Sequence, residues 1–204
     1  MILFGTISKR AIDLVVAGVA ALTLSPLFVI LLFAVKGNSK GPALFLQDRL
    51  GLNGRPFRLL KFRSMYVNVP DLRNPDGSAV TALNDPRVTP VGTFLRRTSL
   101  DELPQLINVL KGDMSLVGPR PEQVDQIQYY SEEERRRLLV KPGITGLAQI
   151  NGRNEISWQK RKALDLEYVE RQSFWLDMQI LLKTIPCVLA RRGIFTNSNT
   201  ESAK

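Results

Sequence analysis

A long apolar run near the start of the chain covers residues 11–35, with Asp13 as its one charged position. A straight helix over this run would be about 37 Å long, more than the ~30 Å hydrocarbon core of a bilayer. The run is apolar on all sides rather than along one stripe, and it is too long for a small domain to cover. These features predict a helix inserted in a membrane rather than a buried core helix.

The middle of this run carries a helix-breaking pair, Ser25 and Pro26. Pro26 cannot donate a hydrogen bond to the carbonyl of Leu22, so we expect the helix to bend there. Basic residues flank both ends of the run: Lys9 and Arg10 before it, and Lys36 and Lys40 after it. The positive-inside rule then favours both ends on the cytoplasmic face. The pattern predicts a re-entrant helical hairpin, and the alternative is a slightly bent spanning helix.

The polar and apolar positions after this run change more often. Residues 45–49 and 57–63 predict two short strands, joined through the hairpin signal Asn53-Gly54. Residues 67–90 are rich in Asn, Asp, Pro and Gly, which indicates a long surface loop. Apolar positions at helical spacing predict a helix over residues 99–111 that stops at Gly112.

The second half of the chain predicts a stiff loop at residues 117–121 and three further helices. One begins at Ser131, where Glu134 completes a capping box, and its arginines 135–137 indicate a solvated helix end. The others cover residues 158–172 and 173–192. The last has widely spaced apolar positions and a basic end, typical of a helix on a membrane surface, although core packing explains it nearly as well. The overall expectation is a helix-rich α/β (α+β) fold with a flexible tail at residues 196–204.

Composition narrows the chemistry. The formal charge of +9 favours anionic partners such as phosphates or acidic lipids. The chain has no histidine, which excludes Ser-His-Asp triads, histidine zinc sites and a histidine general base. Cys187 is the only cysteine, so an intrachain disulfide is excluded and a reducing compartment is favoured. Acid–base and metal chemistry must fall to carboxylates, and the metal that suits them is Mg²⁺.

Two adjacent acids, Asp101 and Glu102, open the predicted helix over residues 99–111. They have an ordinary explanation, because Ser99 and Glu102 match a capping box. Pro104 is tolerated only in a first turn, so Asp101 itself is an alternative N-cap. In either register the Asp101 carboxylate lies beside backbone N–H groups, a position that suits phosphate chemistry.

Cations surround this acid pair in the sequence. Candidate phosphate ligands occur at strand ends and in stiff loops: Lys61, Arg63, Arg96, Arg120 and Arg153. Phosphoryl transfer needs concentrated positive charge and a divalent ion more than elaborate acid–base groups. Arginine in a proline- or glycine-stiffened loop suits bidentate phosphate contacts. Each cation alone would be ordinary surface charge, but together with the acids and the apolar run they favour an enzyme acting on phosphates at a membrane.

The chain resembles the small monotopic phosphoglycosyl transferases, bacterial enzymes that begin lipid-linked glycan assembly. The resemblance runs from about residue 8 to residue 193. It is carried by ordered blocks: Lys9-Arg10, Ser25-Pro26, Gly41-Pro42, Lys61-Phe62-Arg63-Ser64-Met65, Asp101-Glu102-Leu103-Pro104-Gln105-Leu106, Gly118-Pro119-Arg120-Pro121, Pro142-Gly143-Ile144-Thr145-Gly146 and Asn151-Gly152-Arg153-Asn154.

The resemblance implies a bent re-entrant helix at residues 1–40 and a compact catalytic domain at residues 41–195. The domain would rest on the cytoplasmic face of the bacterial inner (plasma) membrane. Asp101 would attack the β-phosphate of a UDP-sugar, expel UMP and form an aspartyl phosphosugar, which polyprenyl (undecaprenyl) phosphate then attacks. Glu102 would hold Mg²⁺, and Arg96 and Arg120 would lie near the lipid and nucleotide phosphates.

Residues 152–159 resemble the branch that handles UDP-N,N′-diacetylbacillosamine or other N-acetylated sugars. The first alternative is a hexose-1-phosphate transferase for galactose or glucose with the same lipid. The second is a non-catalytic basic membrane protein that recruits a partner. Nucleic-acid binding is disfavoured, because the basic residues are spread over loops and helix ends without a matching motif.

Overall fold

The structure is a computed structural model that describes residues 2–72, 85–152 and 155–190, with side chains from residue 8 onward. The helices are α1 (Ile2–Thr23), α2 (Ser25–Asn38), α3 (Pro90–Thr98), α4 (Gln105–Lys111), α5 (Glu132–Arg135), α6 (Leu147–Ile150), α7 (Trp158–Arg171) and α8 (Phe174–Leu189). The strands are β1 (Leu44–Leu50), β2 (Pro56–Phe62), β3 (Ser115–Val117) and β4 (Gly143–Thr145). The prediction of a helix-rich α/β fold is confirmed. The assigned domain boundaries stay a prediction, and residues 196–204 lie outside the described part.

The apolar run forms two helices with a sharp bend between them. Among the described residues, only α1 and α2 taken together are long and apolar enough to cross a bilayer, and they are bent by 62°. Pro26 occupies the first turn of α2, where the N–H that proline lacks would have no partner within that helix. The Ser25 hydroxyl donates to the Leu22 carbonyl at 2.8 Å and so replaces the bond that Pro26 cannot form. The predicted bend at Ser25 and Pro26 is confirmed, whereas insertion in a membrane stays a prediction.

Polar side chains of α1 attach it to the rest of the protein. Arg10 donates to the carbonyls of Val109 (2.6 Å) and Leu110 (3.0 Å), which belong to the last turn of α4. A guanidinium here satisfies carbonyls that the helix itself leaves unpaired. The buried Asp13 carboxylate accepts from the Leu116 N–H at 3.0 Å and so connects α1 to β3.

Lys9 makes the longest-range of these attachments. Its ammonium lies 2.6 Å from the Asp177 carboxylate on α8 and donates to the Val117 carbonyl at 3.0 Å. Tyr168 of α7 donates to the same Asp177 at 2.8 Å. Lys9, Arg10 and Asp13 are therefore held by the folded body, in addition to any effect of their charge on membrane topology.

The predicted hairpin is confirmed. β1 and β2 pair antiparallel, with Gln47 opposite Leu59, and their turn holds Asn53 and Gly54 at positive φ. Asn108 of α4 attaches to β2 through its side-chain amide. Its oxygen accepts from the Leu60 N–H at 3.0 Å, and its nitrogen donates to the Arg58 carbonyl at 2.8 Å. This amide therefore continues the hydrogen-bond ladder at the edge of the hairpin and fixes α4 against it.

Helices α3 and α6 and strands β3 and β4 were not predicted. Helix α3 begins at Pro90, the last residue of the stretch predicted as loop, with the Thr89 hydroxyl accepting from the Gly92 N–H as an N-cap. Strands β3 and β4 form a parallel pair; β3 ends at Val117, where the predicted stiff loop begins, and no element was predicted at β4. This pair requires close backbone approach, because a Cβ at Gly143 would lie 2.1 Å from the Gly118 nitrogen.

The capping box of Ser131 and Glu134 is confirmed, but the helix it starts ends after four residues and continues as a 3₁₀ turn over Arg136–Leu139. The prediction of a solvated arginine run is wrong at Arg137, which is 3% exposed. Helices α7 and α8 match the predicted ranges within a few residues. On α8, Asp177 and Ile180 are buried, whereas large apolar residues remain exposed: Phe174, Trp175, Leu182, Ile185 and Leu189.

Three apolar clusters form the core. The largest joins α1, α4, β3, α7 and α8 around Tyr168 and Val109, and the second joins α2, β2 and α3 around Phe62 and Leu95. The third lies under the β1–β2 turn and includes Trp158. The first two clusters meet at α4 and β2, so the segment between α3 and α4 is held from both sides.

Candidate active site

The acid pair lies in a tight connection between α3 and α4. Helix α3 ends at Ser99 in the left-handed conformation (φ 57°), and a 3₁₀ turn then covers Leu100–Glu102. Pro104 has no N–H to continue an α-helix, and the Leu103 N–H instead bonds the Leu100 carbonyl at 3.3 Å. The prediction of one helix over residues 99–111 is therefore wrong in its first turn.

The predicted capping box of Ser99 and Glu102 is also wrong. Within the described residues the Ser99 side chain makes no cap bond to this turn. The Glu102 carboxylate instead accepts from Arg120 Nη2 at 2.8 Å and lies 3.6 Å from Lys61 Nζ. The Glu102 side chain is 14% exposed, so water screens these contacts only weakly. Its position is set by two cations rather than by the helix end.

Asp101 lies beside this arrangement and is 9% exposed. Burial and, second, the charge of the adjacent Glu102 raise the pKa of Asp101, whereas Lys61, Arg96 and Arg120 oppose the shift, and the resulting pKa is about 6. No hydrogen bond or ion pair to the Asp101 carboxylate occurs in the part of the chain that the structure describes. At neutral pH the group is therefore an ionised carboxylate in a positive field.

The cations reach the acid pair from three elements: Lys61 from β2, Arg96 from α3, and Arg120 from the loop after β3. Burial lowers the pKa of Lys61, with Glu102 opposing, and burial also lowers the pKa of Arg96. The charge of Glu102 raises the pKa of Arg120. Three cations against two carboxylates leave one positive charge in excess, which favours a phosphate ligand.

Arg49 of β1 was not predicted as a site residue. It lines a small open cleft together with Lys61, Gln105, Arg120 and two apolar neighbours. In the hairpin Arg49 lies opposite Phe57, and Lys61 opposite Phe45, so their side chains share one face of the two strands. The register implied by the Asn53-Gly54 turn was the sequence signal that could have identified Arg49.

Comparison with known proteins settles the class. The family model described as bacterial sugar transferase matches residues 4–191, which is nearly the whole chain. The chain belongs to the bacterial sugar transferase family. This membership confirms the family resemblance inferred from the motifs, and with it the predicted enzyme class, a transferase of phosphosugars.

Relatives of different lengths match the chain. The chain is 43% identical to the exopolysaccharide production protein ExoY of Rhizobium meliloti, over 94% of this chain and 89% of ExoY. It is 48% identical to the UDP-glucose:undecaprenyl-phosphate glucose-1-phosphate transferase of Escherichia coli, over 87% of this chain and 39% of that protein. It is 42% identical to the undecaprenyl-phosphate galactose phosphotransferase of Salmonella typhimurium, over 92% and 41%. This sugar transferase chain thus spans less than half of the two enteric relatives.

One predicted phosphate ligand, Arg63, is not brought to the acid pair of this sugar transferase. Arg63 is 4% exposed, and its guanidinium donates to the carbonyls of Pro42 (2.6 Å), Ser39 (2.8 Å) and Lys40 (2.9 Å). These bonds hold the connection between α2 and β1 together. Strand β2 ends at Phe62, so Arg63 does not continue on the strand face that holds Lys61. Arg153 lies outside the described residues.

The two carboxylates of the site suit a hard divalent metal ion. Mg²⁺ in phosphate sites usually binds one or two carboxylates together with substrate oxygens and water. Asp101 and Glu102 supply two adjacent carboxylates of this kind, although Glu102 already carries two cationic partners. The described residues contain no group of three or more Asp, Glu, His or Cys side chains that could hold a metal. These residues therefore fit an ion shared with a substrate phosphate.

Proposed function

We propose that this sugar transferase moves a phosphosugar from a UDP-sugar to polyprenyl phosphate and releases UMP. The observation that carries the proposal is Asp101, a nearly buried carboxylate with no direct ion pair in the described part of the chain, placed in the field of Lys61, Arg96 and Arg120. The names of relatives such as the Escherichia coli protein describe this class of reaction.

The reaction has two steps in this proposal. An Asp101 oxygen bonds to the β-phosphorus of the UDP-sugar while the bond from that phosphorus to the bridging oxygen breaks, and UMP leaves. An oxygen of polyprenyl phosphate then bonds to the same phosphorus, the acyl phosphate bond breaks, and the Asp101 carboxylate is regenerated. A covalent intermediate divides one encounter of two polyanions into two exchanges with a single nucleophile.

The cations have separate parts in this proposal. Arg120 and Lys61 contact phosphate oxygens while they hold Glu102, and Arg96 reaches the site from α3, where its Nε donates to the Ser64 hydroxyl at 2.9 Å. Arg49 extends the basic wall on the β1 side. Glu102, with Asp101 beside it, would hold Mg²⁺, which when bound supplies charge neutralisation for the diphosphate.

The sugar we propose first is a hexose, glucose or galactose. The sequence favoured an N-acetylated sugar such as diacetylbacillosamine, on the pattern of residues 152–159. The names of two relatives at 48% and 42% identity instead specify glucose and galactose. The N-acetylated sugar becomes the second candidate.

Release of UMP tests the proposal. Purified protein in detergent or nanodiscs is incubated with undecaprenyl phosphate, Mg²⁺ and each of UDP-glucose, UDP-galactose, UDP-N-acetylglucosamine and UDP-diacetylbacillosamine. We expect UMP release with a hexose donor and covalent labelling of Asp101 when the lipid is omitted. Chelation of Mg²⁺ tests the metal separately. Folded protein that releases UMP from none of the donors, or an adduct on another residue, would refute the proposal.

We place the α1–α2 pair in the cytoplasmic leaflet as a re-entrant hairpin. The 62° bend and the attachment of Lys9 and Arg10 to the folded body support this arrangement. A cysteine at residue 3, with Cys187 replaced by Ser, reports on it. We expect this cysteine to resist a membrane-impermeant thiol reagent added outside intact cells and to react after the inner membrane is permeabilised. Labelling from outside would indicate a spanning helix.

A further inference from the structure

The backbone of the Arg120 loop, residues 119–122, is fixed by side chains and strands around it. Two prolines in the loop restrict φ and donate no hydrogen bond. Its four consecutive carbonyls accept from four separate places: Pro119 from the Gly143 N–H at 2.8 Å, Arg120 from Arg137 Nη2 at 3.0 Å, Pro121 from Arg49 Nη1 at 3.2 Å, and Glu122 from the Leu50 N–H at 2.9 Å. The bond at Arg120 itself comes from a buried side chain rather than from a strand.

That side chain, Arg137, belongs to a second buried polar cluster. Its guanidinium donates to the Asp165 carboxylate of α7 and to the Tyr130 hydroxyl, and it lies over the Tyr130 ring at 5.3 Å from the centroid. Glu122 Oε1 is 3.9 Å away. Asp165 is 1% exposed. The cluster therefore fixes Arg137 from three sides, and Arg137 in turn bonds the residue that holds Glu102.

Stability alone does not explain this cluster. A buried ion pair gains little over a well-packed apolar pair of similar volume, because both charges lose their hydration. In the described part of the chain, Arg137 Nε and Asp165 Oδ1 also lack a hydrogen-bond partner, which adds to the cost. An apolar pair could fill the same space, but it could not donate to the Arg120 carbonyl.

We infer that Arg137, held by Asp165, is a positioning residue that directs Arg120 toward Glu102 and the substrate phosphates. The inference rests on the proposed function. Arg137 bonds the Arg120 carbonyl and Arg120 bonds Glu102 at 2.8 Å, so the ion pair and the acid site are joined by two successive contacts. Displacement of a phosphate contact by about 1 Å is enough to slow a reaction roughly 100-fold.

A double-mutant cycle tests whether Arg137 acts through Arg120. The perturbation is the combined change Arg137→Met and Asp165→Leu, which removes both charges of the buried pair together instead of leaving either one without the other. It is made in the parent and in Arg120→Ala, and kcat and KM for UMP release are measured per folded molecule. The matched control is Arg136→Met, since Arg136 is the exposed neighbour and pairs with Glu170 at 3.1 Å on the surface.

We expect the apolar pair to lower kcat roughly 10- to 100-fold in the parent, with KM and the melting temperature changed little. In the Arg120→Ala background the same change should cost less than about 3-fold, because the group that Arg137 positions is already gone. Arg136→Met should stay within about 2-fold in both backgrounds. A merely structural role would instead lower activity by the same factor in both.

Each other outcome overturns the inference. Equal losses in both backgrounds, no loss in the parent, or an Arg120→Ala variant as active as the parent would each do so while leaving the proposed function intact. A parent that releases no UMP would overturn both. If the apolar pair fails to fold, Arg137→Lys replaces it in the same cycle, because it keeps a cation facing Asp165 but lacks the planar fork that reaches Arg120 and Asp165 together.

Discussion

Two buried aspartates, Asp101 and Asp165, both have a raised pKa, but they differ in how their carboxylates meet the nearby cations. Burial is the largest cause that raises the pKa of each, nearby cations oppose both shifts, and the resulting pKa of each is about 6. Asp165 meets its cation directly, through the bond from Arg137. Asp101 lies near Lys61, Arg96 and Arg120, but its own neighbour Glu102 takes the direct contacts.

This difference shows why a raised pKa does not by itself identify a reactive carboxylate. At both positions the loss of hydration disfavours the ionised carboxylate and so raises its pKa. A carboxylate bound by a guanidinium has its oxygens directed at a fixed partner, whereas one held only by the field of nearby cations can offer an oxygen to an incoming phosphorus. Geometry therefore separates the candidate nucleophile from the positioning pair.

The largest effect is expected when each aspartate is replaced by its isostere asparagine, which should distinguish Asp101 from Asp165. Asp101→Asn should abolish turnover, because an amide is not a competent nucleophile, and should leave stability at pH 7 unchanged or higher. Asp165→Asn should lower the free energy of unfolding by about 3 kcal/mol, since it leaves the buried Arg137 without its counter-ion. UMP release and thermal unfolding measure the two responses. Turnover by Asp101→Asn, or equal stability losses, would remove the distinction.

The next effect concerns two arginines to which the sequence assigned different roles, Arg120 as a phosphate ligand and Arg136 as part of a solvated helix end. Arg120→Ala should lower kcat/KM roughly 100-fold or more, because it removes a charge-assisted contact to Glu102 and the phosphates. Arg136→Ala should change activity less than about 2-fold, since its surface pair with Glu170 is screened by water. Steady-state kinetics on both variants provide the measurement, and similar losses would mean that Arg120 has no special part.

A smaller effect is expected in the pH dependence of the reaction. If the nucleophile is the ionised Asp101, kcat/KM should fall as the pH is lowered through about 6. Glu102→Gln removes a negative charge that raises this pKa, so the falling limb should move to lower pH, whatever the loss in rate. Profiles recorded between pH 4.5 and 8 test this. A limb that stays in place or moves to higher pH would indicate another titrating group.

The smallest effect is expected in the pH dependence of the free energy of unfolding. The folded-state pKa of Asp101 lies above its usual value of 3.8, so the folded protein binds more protons than the unfolded chain between these values. The contribution of Asp101 to stability is therefore present below pH 4 and lost as the pH rises through about 6. Relative to Asp101→Asn, the parent should lose roughly 1–3 kcal/mol between pH 4 and pH 7. Chemical denaturation at several pH values measures the difference, and a parallel pair of curves would contradict it.

Local signals in the sequence predicted local structure well. The bend at Pro26, the hairpin through Asn53-Gly54 and the cap at Ser131 each depend on residues within a few positions. Helix α3 had such a signal too, with Thr89 as N-cap before Pro90, but the polar composition of the preceding loop obscured it. Strands β3 and β4 have three residues each, too few to show a period of two, and their pairing depends on residues far apart in the chain.

Prediction of the site was limited in the same way, because contacts between residues far apart in the chain leave no local signal in the sequence. The acid pair and the cations Lys61, Arg96 and Arg120 were predicted together, and the structure places them together. Arg63 was predicted as a phosphate ligand and Arg137 as part of a solvated helix end, whereas both side chains are buried. Burial of an arginine depends on partners more than 20 residues away, namely the carbonyls near the end of α2 for Arg63 and Asp165 for Arg137. Sequence alone ranked these arginines by their neighbours in the chain, which carry no such information.

The attachment of Lys9 to Asp177 has a consequence for synthesis. The partner lies 168 residues further along the chain, so a ribosome adding about 5–20 residues per second produces it roughly 8 to 34 s after Lys9. During that interval the first helix lacks the carboxylate that finally pairs with its ammonium. The Ser25 hydroxyl bond to Leu22, three residues away, is available as soon as both residues have left the exit tunnel. The contacts that support the bend are therefore complete in the nascent chain long before the distant ion pair can form.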